Sequence, residues 1–359
     1  MRVALLYGGR SGEHEISIRS ARSIYSALKK THNVYPIFID KQGAWWRTSD
    51  QADLPTSAKN LKEKVFIYPG ISEPALYTSS SVLRIDVAFP VLHGTHGEDG
   101  IPQGLLESAG IPYVGASVSA SAAGMDKVIM KALFAQNQLP VAPFLWFYRS
   151  AWKADRSSCA KRIETSFSYP VFVKPANLGS SVGIGKAHDR AELEKAIEDA
   201  AKYDAKILVE LGLSVREIEC SVLGNENPEA SLPGEIVPKR EFYDYVAKYI
   251  EDTTELHVPA KFDEKQIQAV KDLAIRAFQA IGCSGMARVD LFLEKSTGKF
   301  YLNEINTIPG FTSISMYPKL WEVSGVPFEK LLDKLLALGL QRSREQSENI
   351  TSFDLIQNP

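Results

Sequence analysis

Gly285-Met-Ala-Arg-Val-Asp-Leu-Phe-Leu-Glu-Lys-Ser-Thr-Gly-Lys-Phe-Tyr-Leu-Asn-Glu-Ile-Asn-Thr-Ile-Pro-Gly310 is the stretch on which the fold turns. It reads as two strands, Met286 to Leu293 and Lys299 to Ile305, joined by a turn around Ser296-Thr297-Gly298. Side chains alternate faces along a strand. Arg288, Asp290 and Phe292 therefore share one face, and Phe300, Leu302, Glu304 and Asn306 share a face of the second strand. An antiparallel pairing folded about Thr297 sets Asp290 nearly opposite Glu304, with Asn306 one step on. Like charges directly opposite destabilise a strand pair. A divalent cation removes that penalty, and an all-oxygen ligand set suits Mg²⁺ or Mn²⁺ better than zinc. A solvated polar face with an Arg–Asp bridge fits the same spacing, so the rest of the chain has to separate the two.

The bulk numbers narrow the class. A chain of 359 residues has room for two or three domains, and 45% hydrophobic with 23% charged residues at net charge −2 is an ordinary soluble balance. No basic block points to nucleic acid. Cys159, Cys220 and Cys283 are far apart and lack metal-type spacing, as expected of reduced thiols in a cytoplasmic protein. The N-terminal apolar run is too short for a signal peptide. The longest uncharged run, residues 132–148, is broken by Asn137, Gln138, Pro140 and Pro143, so no membrane span or membrane partner is expected.

Taken in order, Val3 to Tyr7 has the apolar continuity of a buried parallel strand. It ends in Gly8-Gly9-Arg10-Ser11-Gly12, and a helix follows with apolar positions Ile16, Ile24 and Leu28. Val34 to Asp40 is the next strand. In open parallel sheets, ligands bind beyond the strands' carboxyl ends. The third glycine of a dinucleotide fingerprint is missing, so no such site is read here. Residues 41–84 read as an irregular excursion or hairpin. Ile85 to Leu92 is a strand running into His93-Gly94-Thr95-His96-Gly97-Glu98-Asp99-Gly100, where His93 fits a hydrogen-bonded loop histidine as well as a catalytic one. Pro102 to Ala109 reads as a helix, and Ile111 to Val114 as a strand closing the sheet.

Ser119 to Gly124 is a plausible boundary, and Met125-Asp126-Lys127 starts a helix stopping before Pro140. A strand then presents Lys174, followed by Gly179, Ser180, Ser181 and Gly183, a loop whose N–H groups suit phosphate oxygens while lysine supplies charge. A flexible hairpin turn beside an exposed lysine fits too. Ile207 to Glu210 is a short strand, and Glu210 and Glu217 can each serve a nucleotide's adenine or ribose. Between Pro238 and Pro259 lies a long irregular loop rich in Tyr and Lys, more often functional than idle. Asp263 and Gln266 form a capping pair, opening a helix that Gly282 ends. Thr307 to Ser315 is a loop of hydroxyls and backbone donors, Pro327 to Leu340 a Leu-rich helix, and residues 341–359 a polar, frayed tail.

In this order the motifs resemble the ATP-grasp enzymes and, more narrowly, the D-alanine–D-alanine ligases. The matching segments are Gly8-Gly9-x-Ser11-x-Glu13-x-Glu15-x-Ser17, His93-Gly94-x-x-Gly97-Glu98-Asp99-Gly100, Met125-Asp126-Lys127, Lys174-Pro175…Gly179-Ser180-Ser181-Val182-Gly183, Glu241 to Tyr249, Arg288-Val-Asp290 and Asn303 to Gly310. The resemblance implies a mixed α/β fold, α+β in parts. An N-terminal open parallel α/β domain (1–121) would precede two ATP-grasp subdomains (122–213 and 214–345, with a lid at 238–258) and a tail (346–359), with the nucleotide between the subdomains.

It also implies ATP-dependent ligation of two D-alanines through an acyl phosphate, in a cytoplasmic homodimer. Two Mg²⁺ (or Mn²⁺) ions would sit on Asp290, Glu304 and Asn306. Lys127 and Lys174 would grip the α/β-phosphates and Lys248 the γ-phosphate, with Ser180 and Ser181 in the phosphate loop. Glu210 and Leu211 would serve adenine, the latter through its backbone although many relatives are polar there, and Glu217 the ribose. Arg288 and the Gly310 N–H would form an oxyanion hole. Glu15, with His93 nearby, would hold the first substrate's ammonium, and Ser315 and Met316 the second substrate's carboxylate. A Glu15–Ser180–Tyr249 triad would close the site. The Tyr-Asp-Tyr-Val-Ala-Lys-Tyr lid favours the dipeptide over D-Ala-D-lactate. Another ATP-grasp carboxylate–amine ligase, and a non-catalytic binding regulator, are the competing readings; the complete metal and oxyanion set opposes the latter.

Overall fold

The computed structural model describes residues 1–48, 54–70, 73–237 and 255–350. The first sheet takes β1 (Arg2–Gly8), β2 (Asn33–Ile39), β3 (Trp45–Arg47) and, after a small hairpin of β4 (Ala75–Tyr77) and β5 (Val82–Arg84), β6 (Val87–Val91). Its order is β3-β2-β1-β6, with β1 parallel to both β2 and β6. Being central, β1 buries both faces, as a parallel strand must. Val3, Leu5 and Tyr7 join one core with helix His14–Leu28, and Ala4 and Leu6 join another.

The second sheet holds β7 (Phe144–Tyr148), β8 (Val171–Pro175), β9 (Gly185–Ala187) and β10 (Lys206–Leu211), in the order β7-β10-β8-β9 and antiparallel throughout. Alternation splits its faces. Val171, Val173, Ile207 and Val209 pack on helices Arg156–Ser166 and Arg190–Tyr203. Lys174, Leu208 and Glu210 fall on the other side, against helix Lys127–Gln136.

The third sheet joins β11 (Val215–Gly224), β12 (Glu229–Ala230), β13 (Gly234–Val237), β14 (Glu255–His257), β15 (Gly285–Glu294) and β16 (Phe300–Asn306), with β14-β13-β11-β15-β16 along its main path. One face packs on helix Glu264–Ala280, whose start carries the expected Asp263–Gln266 capping box.

Residues 119–124 belong to helix Val118–Met125, whose Ala120, Ser121 and Gly124 are buried. Three expectations need correction. Residues 111–114 form no strand; Tyr113 makes a single parallel bridge to Ala88. The last helix runs Phe328–Ser347, well beyond Leu340, and Arg342 on it is buried. Its Leu331, Leu332, Leu335 and Leu336 complete the core under β1. The third concerns β16. Asp290 does pair with Glu304 and Arg288 with Asn306, but the register shifts so that Leu291 opposes Leu302. Asn303 is the extra residue of a β-bulge, so Leu302 turns into the core beside Ile305 while Glu304 and Asn306 face Asp290.

Candidate active site

Three carboxylates line up across three neighbouring strands: Glu219 of β11 pairs with Asp290 of β15, which pairs with Glu304 of β16. Arg288, two residues from Asp290 on the same face, makes this row tolerable. Its Nε and Nη2 each donate to Asp290 at 2.7 Å, and Nε lies 3.1 Å from Glu219 Oε2. Burial disfavours the guanidinium's charge, yet Asp290 and Glu219 outweigh it and hold Arg288 firmly protonated. Asn306 Nδ2 donates to Asp290 Oδ2 at 3.1 Å, and Lys127 Nζ stands 3.4 Å from Glu304 Oε2. Two carboxylates and an amide oxygen suit a hard divalent cation. Among the described residues no three His, Cys, Asp or Glu side chains cage an ion unaided. An ion here would take its remaining oxygens from water or a ligand, the usual pattern for Mg²⁺.

A cleft of about 550 Å³ opens from this row between the second and third sheets. Lys127, Lys174, Ser180, Ser181 and Glu217 line it, as do Leu211 and Leu213. Leu211 N–H is committed to the Pro143 carbonyl at 3.0 Å. Lys127 Nζ donates to Leu178 O at 2.9 Å, fixing the start of the Gly-Ser loop. Ser180 and Ser181 sit at φ +52 and +58, a left-handed conformation that non-glycine residues adopt rarely and that clusters at functional sites. Glu210 lines the cleft but is only 3% exposed, and its carboxylate is held by Lys131 at 2.6 Å and by Lys174. The two ammonium groups outweigh burial and pull it down to about 2. Its side chain is therefore engaged with lysines, not presented to a base as expected.

A smaller cavity adjoins the cleft, sharing Gly179, Ser180 and Glu304 with it, and is lined also by Glu13, His93, Arg288 and Gly310. The loops after β1 and β6 build one wall, at the carboxyl ends of adjacent parallel strands. Here the sequence reading named the wrong glutamate. Ser180 donates its hydroxyl to Glu13, whereas Glu15 is half exposed and bound to Lys41 at 2.7 Å. Helix His14–Leu28 begins just after Glu13, so residue 15 is turned away around the first turn. A Cβ at Gly179 would come within 2.8 Å of Glu13 Oε2, and one at Gly94 within 2.7 Å, so both glycines make room for this carboxylate.

His93 is buried with both ring nitrogens engaged. Nδ1–H donates to Ile308 O at 2.9 Å, and Nε2 accepts from Ser20 Oγ at 3.2 Å, which itself accepts from Phe311 N–H at 3.1 Å. The relay needs a neutral imidazole, and burial lowers this histidine's pKa. His93 thereby anchors the 307–311 loop that carries Gly310. Ser315 Oγ accepts from Thr312 N–H at 2.9 Å and lies where a Cβ at Gly310 would reach 2.8 Å. Ser315 stands at the N-terminal boundary of helix Met316–Val323 with its hydroxyl turned back to Thr312 and not onto the helix; Met316 is buried, its side chain against Gly234. Glu98, buried beside Glu13, accepts from Gly94 N–H at 2.8 Å and is pushed up to about 8, first by burial and then by Glu13. Lys248 and Tyr249 lie outside the described residues.

Sequence reading missed Glu13, Glu98, Lys131, Glu219 and Asn303. Two had visible signals: Glu219 shares a strand face with Glu217, and Lys131 follows Lys127 by one helical turn.

The family model described as "D-ala D-ala ligase N-terminus" matches residues 2–116, and "D-ala D-ala ligase C-terminus" matches residues 133–337. The chain is 52% identical to the D-alanine–D-alanine ligase of Heliobacterium modesticaldum over 97% of each chain. It is 49% identical to that of Caldicellulosiruptor bescii over 96% of this chain and 97% of the relative. Among solved structures, the D-alanine–D-alanine ligase of Coxiella burnetii superposes at TM-score 0.86 with 37% identity, covering 97% of this chain and 96% of the other. The VanG D-Ala:D-Ser ligase of Enterococcus faecalis superposes at 0.85 with 34% identity, covering 94% and 99%.

Proposed function

The chain belongs to the D-alanine–D-alanine ligase family, and from that footing we propose how its own residues carry out the ATP-dependent joining of two D-alanine molecules. The reaction supplies D-alanyl-D-alanine for peptidoglycan precursors. The carboxylate of one D-alanine attacks the γ-phosphorus of ATP, giving an acyl phosphate and ADP. The amine of the second attacks the acyl carbon; the tetrahedral intermediate expels phosphate, and the amine gives up a proton.

Lys127 and Lys174 bind the α/β-phosphates, the Ser180-Ser181 loop wraps them, and Glu217 takes the ribose hydroxyls. Glu210 acts through Lys174, and the backbone around Leu211 borders adenine. Lys248 takes the γ-phosphate. Asp290, Glu304 and Asn306 would hold two Mg²⁺ ions, which neutralise charge on the β- and γ-phosphates. Arg288 and Gly310 N–H stabilise the tetrahedral oxyanion. Glu13 receives the first D-alanine's ammonium, and His93 holds the loop carrying Gly310. Ser315 and the Met316 N–H receive the second substrate's carboxylate. Tyr249 would close over Ser180 and Glu13, keeping water from the acyl phosphate.

The observation that carries this assignment is the convergence of Glu13, Ser180, Arg288 and Gly310 on one small cavity adjoining the nucleotide cleft. The Tyr-Asp-Tyr-Val-Ala-Lys-Tyr segment supports an amine acceptor over lactate. Phosphate release with ATP and Mg²⁺, with products weighed for D-alanine alone and with D-serine or D-lactate, tests it. D-Ala-D-Ala as the main product, lost in Arg288→Ala, is expected; a depsipeptide near neutral pH overturns the acceptor assignment. We also assign a cytoplasmic homodimer joined through the N-terminal domain, in keeping with soluble substrates; light scattering checks its mass.

A further inference from the structure

Lys131 is only 1% exposed and lies outside the cleft's lining. It nonetheless meets Glu210 Oε1 at 2.6 Å, while the other carboxylate oxygen holds Lys174. A buried ammonium with no access to ligand is costly and needs a reason. The strands and helix supply the geometry: Leu208 pairs with Lys174 across β10 and β8, and Glu210 shares their face beneath helix Lys127–Gln136. Of the two lysines, only Lys174 turns its ammonium toward the cleft floor, its Nζ 3.4 Å from Asn303 Oδ1.

With both lysines protonated, Lys131 and Lys174 against Glu210 leave one net positive charge; burial pulls the Lys131 ammonium toward neutrality, and Glu210 beside it opposes that pull. Without Lys131 the Lys174–Glu210 pair would be neutral, and its field at a bound polyphosphate would largely cancel. We infer that Lys131 is a positioning and charge-balancing residue: it occupies Glu210 so that the charge of Lys174 acts on the nucleotide's phosphates. This rests on the reading of Lys174 as a phosphate ligand.

The test compares ADP and adenosine binding by calorimetry, with KM for ATP and for D-alanine, in four full-length proteins. These are wild type, Lys131→Met, Lys131→Met/Glu210→Gln and Lys174→Met. Lys131→Met should weaken ADP about tenfold and raise KM for ATP similarly, leaving adenosine affinity and KM for D-alanine unchanged. The double variant restores the net charge to one and should bring ADP back to within about threefold of wild type. Equal losses for ADP and adenosine, or a double variant no better than Lys131→Met, would overturn the inference. Should Lys131→Met not fold, the double variant decides alone: near-wild-type ADP affinity supports the charge count, and a tenfold loss refutes it. Should Lys174→Met bind ADP normally, the phosphate role of Lys174 itself fails. Loss in Lys174→Met with none in Lys131→Met refutes only the role of Lys131.

Discussion

Ser180 donates its hydroxyl to Glu13 across 167 residues of chain, tying the Gly-Ser loop of the second sheet to the first turn after β1. Hydrogen bonds to charged groups contribute about 1.5–3 kcal/mol. Ser180→Ala should therefore lower kcat/KM for D-alanine roughly 10- to 100-fold. Glu13→Gln should lose at least as much, while Glu15→Gln stays within about twofold. Steady-state kinetics on the three variants checks this, and a large loss in Glu15→Gln alone would reverse the assignment.

Arg288 holds two carboxylates, and lysine cannot reproduce its bidentate fork. Arg288→Lys is expected to reduce kcat by about 10²–10³, the usual effect of removing one oxyanion donor. Nucleotide binding should change little. Arg288→Ala should in addition lose about 3 kcal/mol of stability by leaving Asp290 and Glu219 uncompensated. Urea titration beside rapid-quench turnover separates the two effects.

The two perturbed glutamates set opposite pH limbs. Glu98 is raised from 4.5 to about 8, so the stability associated with its neutral form is present below pH 4.5 and lost as pH rises through 8. Glu98→Gln should gain on wild type over that window. Glu210 is lowered from 4.5 to about 2, so its contribution is present above pH 4.5 and lost as pH falls through 2. Glu210→Gln should flatten the acid limb while lowering stability at neutral pH. Melting temperatures from about pH 3 to about pH 9 reveal both slopes, and parallel curves would contradict the assignment.

Arg342 donates to the carbonyls of Gly115 and Tyr113 and to Ser284 Oγ, the last two at 3.1 and 2.9 Å, and its guanidinium lies 4.2 Å from the Tyr113 ring centroid. Arg342→Met should cost about 3 kcal/mol, since it strands buried acceptors. Activity per folded molecule at 25 °C should be preserved. Chemical denaturation with a parallel activity assay makes the comparison.

The Asp290–Glu304 pairing was legible because alternation and one turn determine it. Leu302 was misplaced because a one-residue bulge at Asn303 carries no compositional mark. Glu13 and Glu15 sit two apart in one motif, and choosing between them requires knowing which residue begins the helix. Arg342 lies in a polar run whose periodicity says nothing of a single guanidinium reaching carbonyls some 230 residues earlier. Glu219 showed its face but not its partner, because sheet order is a non-local property.

The β13–β14 ladder pairs Val237 with Glu255 and Glu235 with His257, so the described residues on either side of 238–254 are direct partners in the sheet. The edge is closed by its own hydrogen bonds, and Ala260 N–H to Pro233 O at 2.8 Å adds a further tie. Val237 and Glu255, the described residues that flank 238–254, are thereby held as partners by the scaffold itself, whatever sequence joins them.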